Sequence, residues 1–83
     1  MKKPYIELIN NILQQYYFDA ENTGKKDTLS LGLAFIALQF TAKYSGDTEA
    51  ENKLGAMIAD CRRGVIPQSL PGNTTLFNDR ICQ

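Results

Sequence analysis

The sequence contains no histidine and no tryptophan, and only two of its residues are cysteines. Histidine titrates near neutral pH and is the commonest metal ligand, so its absence removes the usual residue for acid–base and metal chemistry. Two thiolates alone cannot complete a tetrahedral zinc site. The sequence also lacks a glycine-rich phosphate-binding loop and a Ser/His/Asp set. We therefore expect no catalytic residue, no metal site and no cofactor, and the chain is not predicted to be an enzyme.

A net charge is also missing, because nine Lys and Arg residues balance nine Asp and Glu residues. Proteins that bind nucleic acid usually carry a basic excess, since much of their affinity comes from phosphate contacts. The basic residues of this sequence are scattered, and each lies near an acid. The composition therefore does not favour nucleic acid as the ligand.

Long apolar segments are absent as well. The longest one, residues 29–40, is shorter than the roughly 20 residues that a helix needs to cross a bilayer. Near the basic start, Glu7, Asn10 and Asn11 interrupt the apolar core that a signal peptide requires. We therefore expect no membrane association and a cytoplasmic protein with reduced thiols.

Three segments show the periodicity of amphipathic helices. Pro4 suits a first helical turn, and apolar residues recur at helical spacing over residues 5–18. Residues 19–26 contain turn formers and are predicted to be a loop. The second helix is predicted over residues 28–44, with Asp27 or Thr28 as its N-cap. The third is predicted over 48–63, opened by a capping box from Thr48 to Glu51 and closed by Gly64.

These segments predict one all-α domain over residues 1–83, a small three-helix bundle with an irregular C-terminal tail from residue 65. The tail contains prolines and a Pro71-Gly72 turn signal. A short fourth helix over residues 74–82 is the alternative interpretation of its end.

The second helix is apolar nearly all round, which is typical of a buried helix. Its first stripe consists of Leu29, Leu33, Ile36 and Phe40. Its second stripe, on nearly the opposite side, consists of Leu31, Phe35, Leu38 and Ala42. Burying a large side chain is worth roughly 1.5–3 kcal/mol, so we expect the second stripe to be covered.

Two covers for that second stripe are available. The tail supplies apolar residues, among them Val65, Ile66, Leu70, Leu76, Phe77 and Ile81. We favour the tail, which predicts a monomer. The alternative is a second chain, which predicts a homodimer with Leu31, Phe35 and Leu38 as the candidate oligomer face.

Two local patterns resemble sites but are interpreted as structural. Cys61 lies on the apolar stripe of the third helix and is predicted to be a buried, inert thiol, because no base accompanies it. The segment from Asp19 to Gly24 places a glycine where a calcium loop needs one. The position of the bidentate glutamate holds Ser30, so we expect no calcium there.

The predicted function is that of a non-catalytic binding module. The candidate partner-binding residues are Phe18, Asp19, Glu21, Asp47, Glu49, Lys53 and Asp60. Most are acids, which suit a partner protein with a basic surface, such as a toxin or nuclease, because complementary charge speeds encounter. By analogy of size and class, we expect a protein of the immunity-protein, antitoxin or phage-inhibitor type that neutralises or regulates its partner.

Two alternatives stay open. The second and third helices, with Gly46 in the turn, have lengths suited to a helix-turn-helix DNA-binding regulator. The acids Asp47, Glu49 and Glu51 would face phosphates there, which makes this the weaker alternative. The other alternative is a structural or assembly component that self-associates through the second helix.

Overall fold

The computed structural model describes residues 1–70, and within them it contains three helices and no strand. The prediction of an all-α bundle is thereby confirmed. Helix α1 spans Lys3–Thr23, α2 spans Thr28–Ser45 and α3 spans Thr48–Arg62. No helix in this part of the chain has the length and apolarity to cross a membrane.

Helix α1 is longer than predicted. It begins beside Pro4 and continues five residues past Phe18, so the predicted loop at residues 19–23 is helical. The helix ends where Gly24 adopts a left-handed conformation with φ of 72°, and its N–H donates to the carbonyl of Ala20 at 2.8 Å. The first five residues of the calcium-loop pattern, 19–23, are thus helical, and the loop between α1 and α2 consists of residues 24–27.

Aspartates cap the other two helices. The Asp27 carboxylate accepts hydrogen bonds from the backbone N–H and the hydroxyl of Ser30, which fixes the start of α2. Asp47 caps α3 through the N–H of Ala50 at 3.1 Å. The prediction that Thr48 is the N-cap of a capping box was therefore wrong. The N-cap is Asp47, one position earlier, and Thr48 is already the first helical residue.

Helices α2 and α3 form an antiparallel hairpin with contacts along its length. Near one end, a Cβ added to Gly32 of α2 would meet Cβ of Cys61 at 3.3 Å. Towards the other end, Nε2 of Gln39 donates to the carbonyl of Glu51 at 3.1 Å, and a Cβ on Gly55 would approach that Nε2 to 3.1 Å. The two glycines therefore let the helices approach closely.

Helix α1 closes the core over this hairpin. The buried core consists of Tyr5, Ile9, Leu13, Leu31, Phe35, Ala42, Ala50, Leu54, Met57, Ile58, Cys61 and Leu70. The Tyr5 hydroxyl lies 2.6 Å from Oγ of Ser45, which itself donates to the carbonyl of Ala42. This polar contact ties the start of α1 to the end of α2.

The residues of the candidate oligomer face are covered within the chain. Leu31 and Phe35 are buried in the core, and Leu38 is half-buried against it. The stripe that these residues belong to is covered within one chain, because both α1 and α3 pack against α2. Neither a second copy nor the end of the tail is needed to cover it.

The chain after α3 folds back onto the core only in part as predicted. Ile66 packs against the core, and Pro67 and Leu70 are buried. Val65, also predicted as a covering residue, is 49% exposed. The proposed contacts of Leu76, Phe77 and Ile81, and the alternative fourth helix over 74–82, lie outside the described residues.

Candidate functional site

An apolar stripe lies exposed along α2, on the side opposite the core. We name it the α2 outer face, and it consists of the exposed Leu29, Leu33, Phe40 and Tyr44 and of Ile36, which is half-buried at its edge. At 100° per residue these five positions fall within about 80° of the helix surface. The exposed fractions are 67% for Leu29, 66% for Leu33, 57% for Phe40 and 90% for Tyr44. Of the two apolar stripes that the sequence shows on α2, the first is therefore the one that the core leaves uncovered.

The α2 outer face carries no charge of its own. Residues 28–42 contain no Asp, Glu, Lys or Arg, and Lys43 is the first charged residue at its C-terminal end. A continuous exposed apolar patch with two large aromatic rings is typical of a protein-binding surface rather than of free protein surface.

A shallow groove of about 220 Å³ runs beside this face, between α2 and α3. Leu29, Leu33 and Ile58 contribute apolar walls, and Arg62 stands at its rim. Cys61 also borders the groove and is buried, and burial, followed by the charge of Asp60, raises the pKa of its thiol. An apolar side chain from a partner could enter here without meeting a reactive group.

Five of the predicted partner-binding residues are exposed. Phe18, Asp19 and Glu21 lie on the last turns of α1, and Glu49 and Lys53 lie on α3. Phe18 is 62% exposed. It borders the same depression of α1 as Tyr17 and four polar residues, Asn11, Gln14, Gln15 and Glu21. The exposed apolar patch at Phe18 is therefore smaller than the one on α2.

Three of the predicted residues, Asp47, Glu49 and Asp60, make polar contacts within the chain. Asp47 is buried, and its carboxylate accepts from the N–H groups of Lys2 at 2.8 Å and Ala50 at 3.1 Å. The bond from Lys2 is the main reason that the pKa of Asp47 lies below its ordinary value, while burial opposes it. Glu49 pairs with the amine of Met1 at 2.5 Å. Asp60 pairs with Arg63.

The predicted acids also do not form one surface. Asp19 borders the same small cavity as Asp27, at the N-terminal end of α2. Asp47 and Glu49 follow the C-terminal end of α2, which is 18 residues long and therefore spans roughly 27 Å. A single basic patch on a partner cannot contact both groups closely.

The cavity at Asp19 and Asp27 has a volume of about 310 Å³ and is also lined by Tyr16, Thr23, Lys25 and Ser30. Burial, then the charge of Asp27, raises the pKa of Tyr16, whose buried hydroxyl has no hydrogen-bond partner in residues 1–70. The Asp27 carboxylate is engaged by Ser30, which holds its pKa below the ordinary value. Among the residues described, no group of three or more His, Cys, Asp or Glu could hold a metal ion.

The hairpin geometry differs from that of a helix-turn-helix motif. In such motifs the two helices cross at about 90–120°. Here α2 and α3 run side by side, since Gly32 faces Cys61 and Gln39 faces Glu51. The first turn of α3 carries Glu49, which is unsuited to approach phosphates.

Comparison with known proteins identifies no relative of this chain. No family model matches it, and neither a curated protein nor a solved structure is significantly similar.

Proposed function

We propose that the chain is a non-catalytic protein-binding module and that the α2 outer face is its binding surface. The observation that carries this proposal is the exposure of Leu29, Leu33, Phe40 and Tyr44 along one side of a helix whose other side lies in the core. A helix exposing an apolar row at this spacing offers the anchors that helix-mediated recognition uses.

The physical support is the free energy that this face makes available. Complete burial of a large apolar side chain is worth roughly 1.5–3 kcal/mol. Leu33 and Tyr44, with 66% and 90% of their surfaces exposed, therefore retain most of that contribution for a partner. Aromatic residues at the centre of an interface often dominate binding, and this face holds two of them.

The chemistry of the face favours an apolar partner surface over a basic one. Charge complementarity needs charges at the interface, and residues 28–42 have none. The neutralisation of a basic toxin or nuclease therefore stays a prediction, based on the exposed acids Asp19 and Glu21 at the end of α1.

A capture experiment tests the proposal. The tagged full chain, its Leu33→Glu variant and its Phe18→Gln variant are incubated with extract of the native host and with untagged copies of the chain. We expect the wild type and Phe18→Gln to retain the same bound protein and Leu33→Glu to lose it. Phe18 is a matched control, because it is 62% exposed against 66% for Leu33 but lies on α1. Equal retention by all three proteins, or no bound protein at all, would contradict the proposal.

A further inference from the structure

We propose that the partner of the α2 outer face is the same face of a second copy of this chain, in a two-fold dimer with antiparallel α2 helices. The inference rests on the proposed function and names the partner for it. Three features of the face support it: its spacing, its lack of charge and its area.

The spacing of the exposed residues is symmetric along the helix. Leu29 and Tyr44 lie equally far from the midpoint between Ile36 and Ala37, and so do Leu33 and Phe40. A two-fold axis through that midpoint therefore sets Leu29 against the second copy's Tyr44, and Leu33 against its Phe40. In each of these pairs a leucine side chain packs against a larger aromatic ring. A two-fold interface requires this self-complementarity.

The same axis fixes where Tyr44 lies relative to α3. By the 100° rotation per residue, Tyr44 projects from the flank of the outer face that is turned away from Gly32, and therefore away from α3. A two-fold axis perpendicular to two antiparallel helices keeps each flank on its own side, so the Tyr44 rings of both copies lie on the flank away from α3. The groove between α2 and α3 stays at the opposite edge of the interface.

Charge does not oppose this pairing. The antiparallel arrangement sets Lys43 opposite Ser30 of the other copy, and residues 28–42 bring no like charges together. Charged residues are typically depleted at the centre of protein interfaces, while aromatic residues are enriched there.

The area is that of a small interface. With aromatic side chains of about 150–250 Å² and somewhat smaller leucines, the four exposed side chains offer roughly 500 Å² per copy at their exposed fractions. This is less than the about 800 Å² per partner of a standard interface, so we expect a weak dimer that forms at the higher protein concentrations.

Sedimentation equilibrium of the purified full chain, over roughly 1–100 μM, is the first test. We expect the wild type and Phe18→Gln to have the mass of two chains at the upper concentrations, and Leu33→Glu and Phe40→Lys that of one. Tyr44→Ala should raise the dimer dissociation constant about 30-fold, as truncation of an interface hot spot does. Circular dichroism checks that every variant keeps its helices. A wild type that stays monomeric, or a dimer that Leu33→Glu leaves intact, would overturn the proposal.

A double variant tests the antiparallel register. In the proposed dimer, Leu33→Glu combined with Phe40→Lys sets each glutamate against a lysine of the other copy, so dimerisation should return. In a parallel arrangement the same variant opposes like charges, which is unfavourable. A double variant that stays monomeric while both single variants are folded would contradict the register.

Each other molecule or segment that could cover the face would give a different experimental result. If residues 71–83 of the same chain cover it, the full chain is monomeric and a chain ending at Leu70 self-associates, which overturns the dimer. If a different protein covers it, the purified chain is monomeric, but Leu33→Glu still abolishes capture of a host protein. That result would overturn the dimer and leave the proposed function standing.

Discussion

The side chain of Asn10 on α1 binds the backbone of Leu70 through two hydrogen bonds. Its Nδ2 donates to the Leu70 carbonyl at 2.9 Å, and its Oδ1 accepts from the Leu70 N–H at 2.7 Å. Asn10 is buried, with 4% of its surface exposed. The amide thus replaces water at a buried stretch of chain and fixes the segment after α3 against the first helix.

Replacing Asn10 by Ala removes both bonds and should destabilise the protein by about 2–3 kcal/mol, because buried backbone groups lose a partner. Urea unfolding followed by circular dichroism measures the change. Asn11→Ala is the control, since Asn11 is the exposed neighbour on the same helix. We expect a change within about 0.5 kcal/mol for this control. Equal effects of the two substitutions would show that the Asn10 bonds contribute nothing specific.

Sequence patterns located all three helices but could not fix the end of α1. The apolar periodicity fades after Tyr17, and the turn formers in residues 19–26 indicated a loop. The helix continues because polar residues such as Asp19 and Glu21 can occupy exposed helical turns. It ends only at Gly24, which adopts the left-handed conformation of a C-cap. Asn10, which the sequence shows only as a polar residue that interrupts an apolar stretch, is buried because it binds Leu70, 60 residues further along the chain.

Asp47 makes stability depend on pH in the acid range. Its pKa in the folded protein lies below the ordinary value of 3.8, chiefly through the Lys2 N–H. The stabilisation is therefore fully present above the unfolded pKa and is lost as pH falls through the lower folded value. We expect Asp47→Asn to lower Tm at neutral pH, with a difference from wild type that shrinks below 3.8. A Tm difference that is the same at about pH 2 as at about pH 7 would contradict this assignment.

The two glycines of the hairpin should respond differently to alanine. Alanine normally stabilises a helix by about 1 kcal/mol relative to glycine. At Gly32 the new methyl meets Cβ of Cys61, which cannot move without shifting α3, so a net loss of about 1 kcal/mol is expected. At Gly55 it meets the end of the Gln39 side chain, which can move, so we expect little change. Chemical denaturation of both variants makes the comparison, and a stabilising Gly32→Ala would show that the contact is looser than described.

Cys61 should be slow to react in the folded protein. It is 1% exposed, and burial raises the pKa of its thiol above the ordinary 9.0. In a Cys82→Ser variant, we expect a thiol reagent to modify Cys61 about 100-fold more slowly than in denaturant, because thiolate and access are both limited. Comparable rates in the two conditions would mean that the α2–α3 contact opens readily.

The candidate site could be predicted only in part. The sequence shows two apolar stripes on α2, but their composition is so similar that periodicity cannot decide which one faces the core. The close contact between Gly32 and Cys61 decides it, because it turns Leu31 and Phe35 inward and leaves Leu33 outside. The acids were predicted from charge alone, and a charge pattern does not reveal that the carboxylate of Asp47 is used by backbone N–H groups.

The contact between Leu33 of one copy and Phe40 of another is the most direct test of the α2 outer face as an interface. Within one chain these residues are seven positions apart on a helix, a separation of roughly 10 Å along its axis. An isotope-filtered NOE experiment on an equimolar mixture of labelled and unlabelled chains detects only contacts between copies. We expect cross-peaks from the Leu33 methyl groups to the Phe40 ring. Their absence at a concentration where the protein is soluble and folded, or Leu33 contacts only within its own chain, would contradict the dimer.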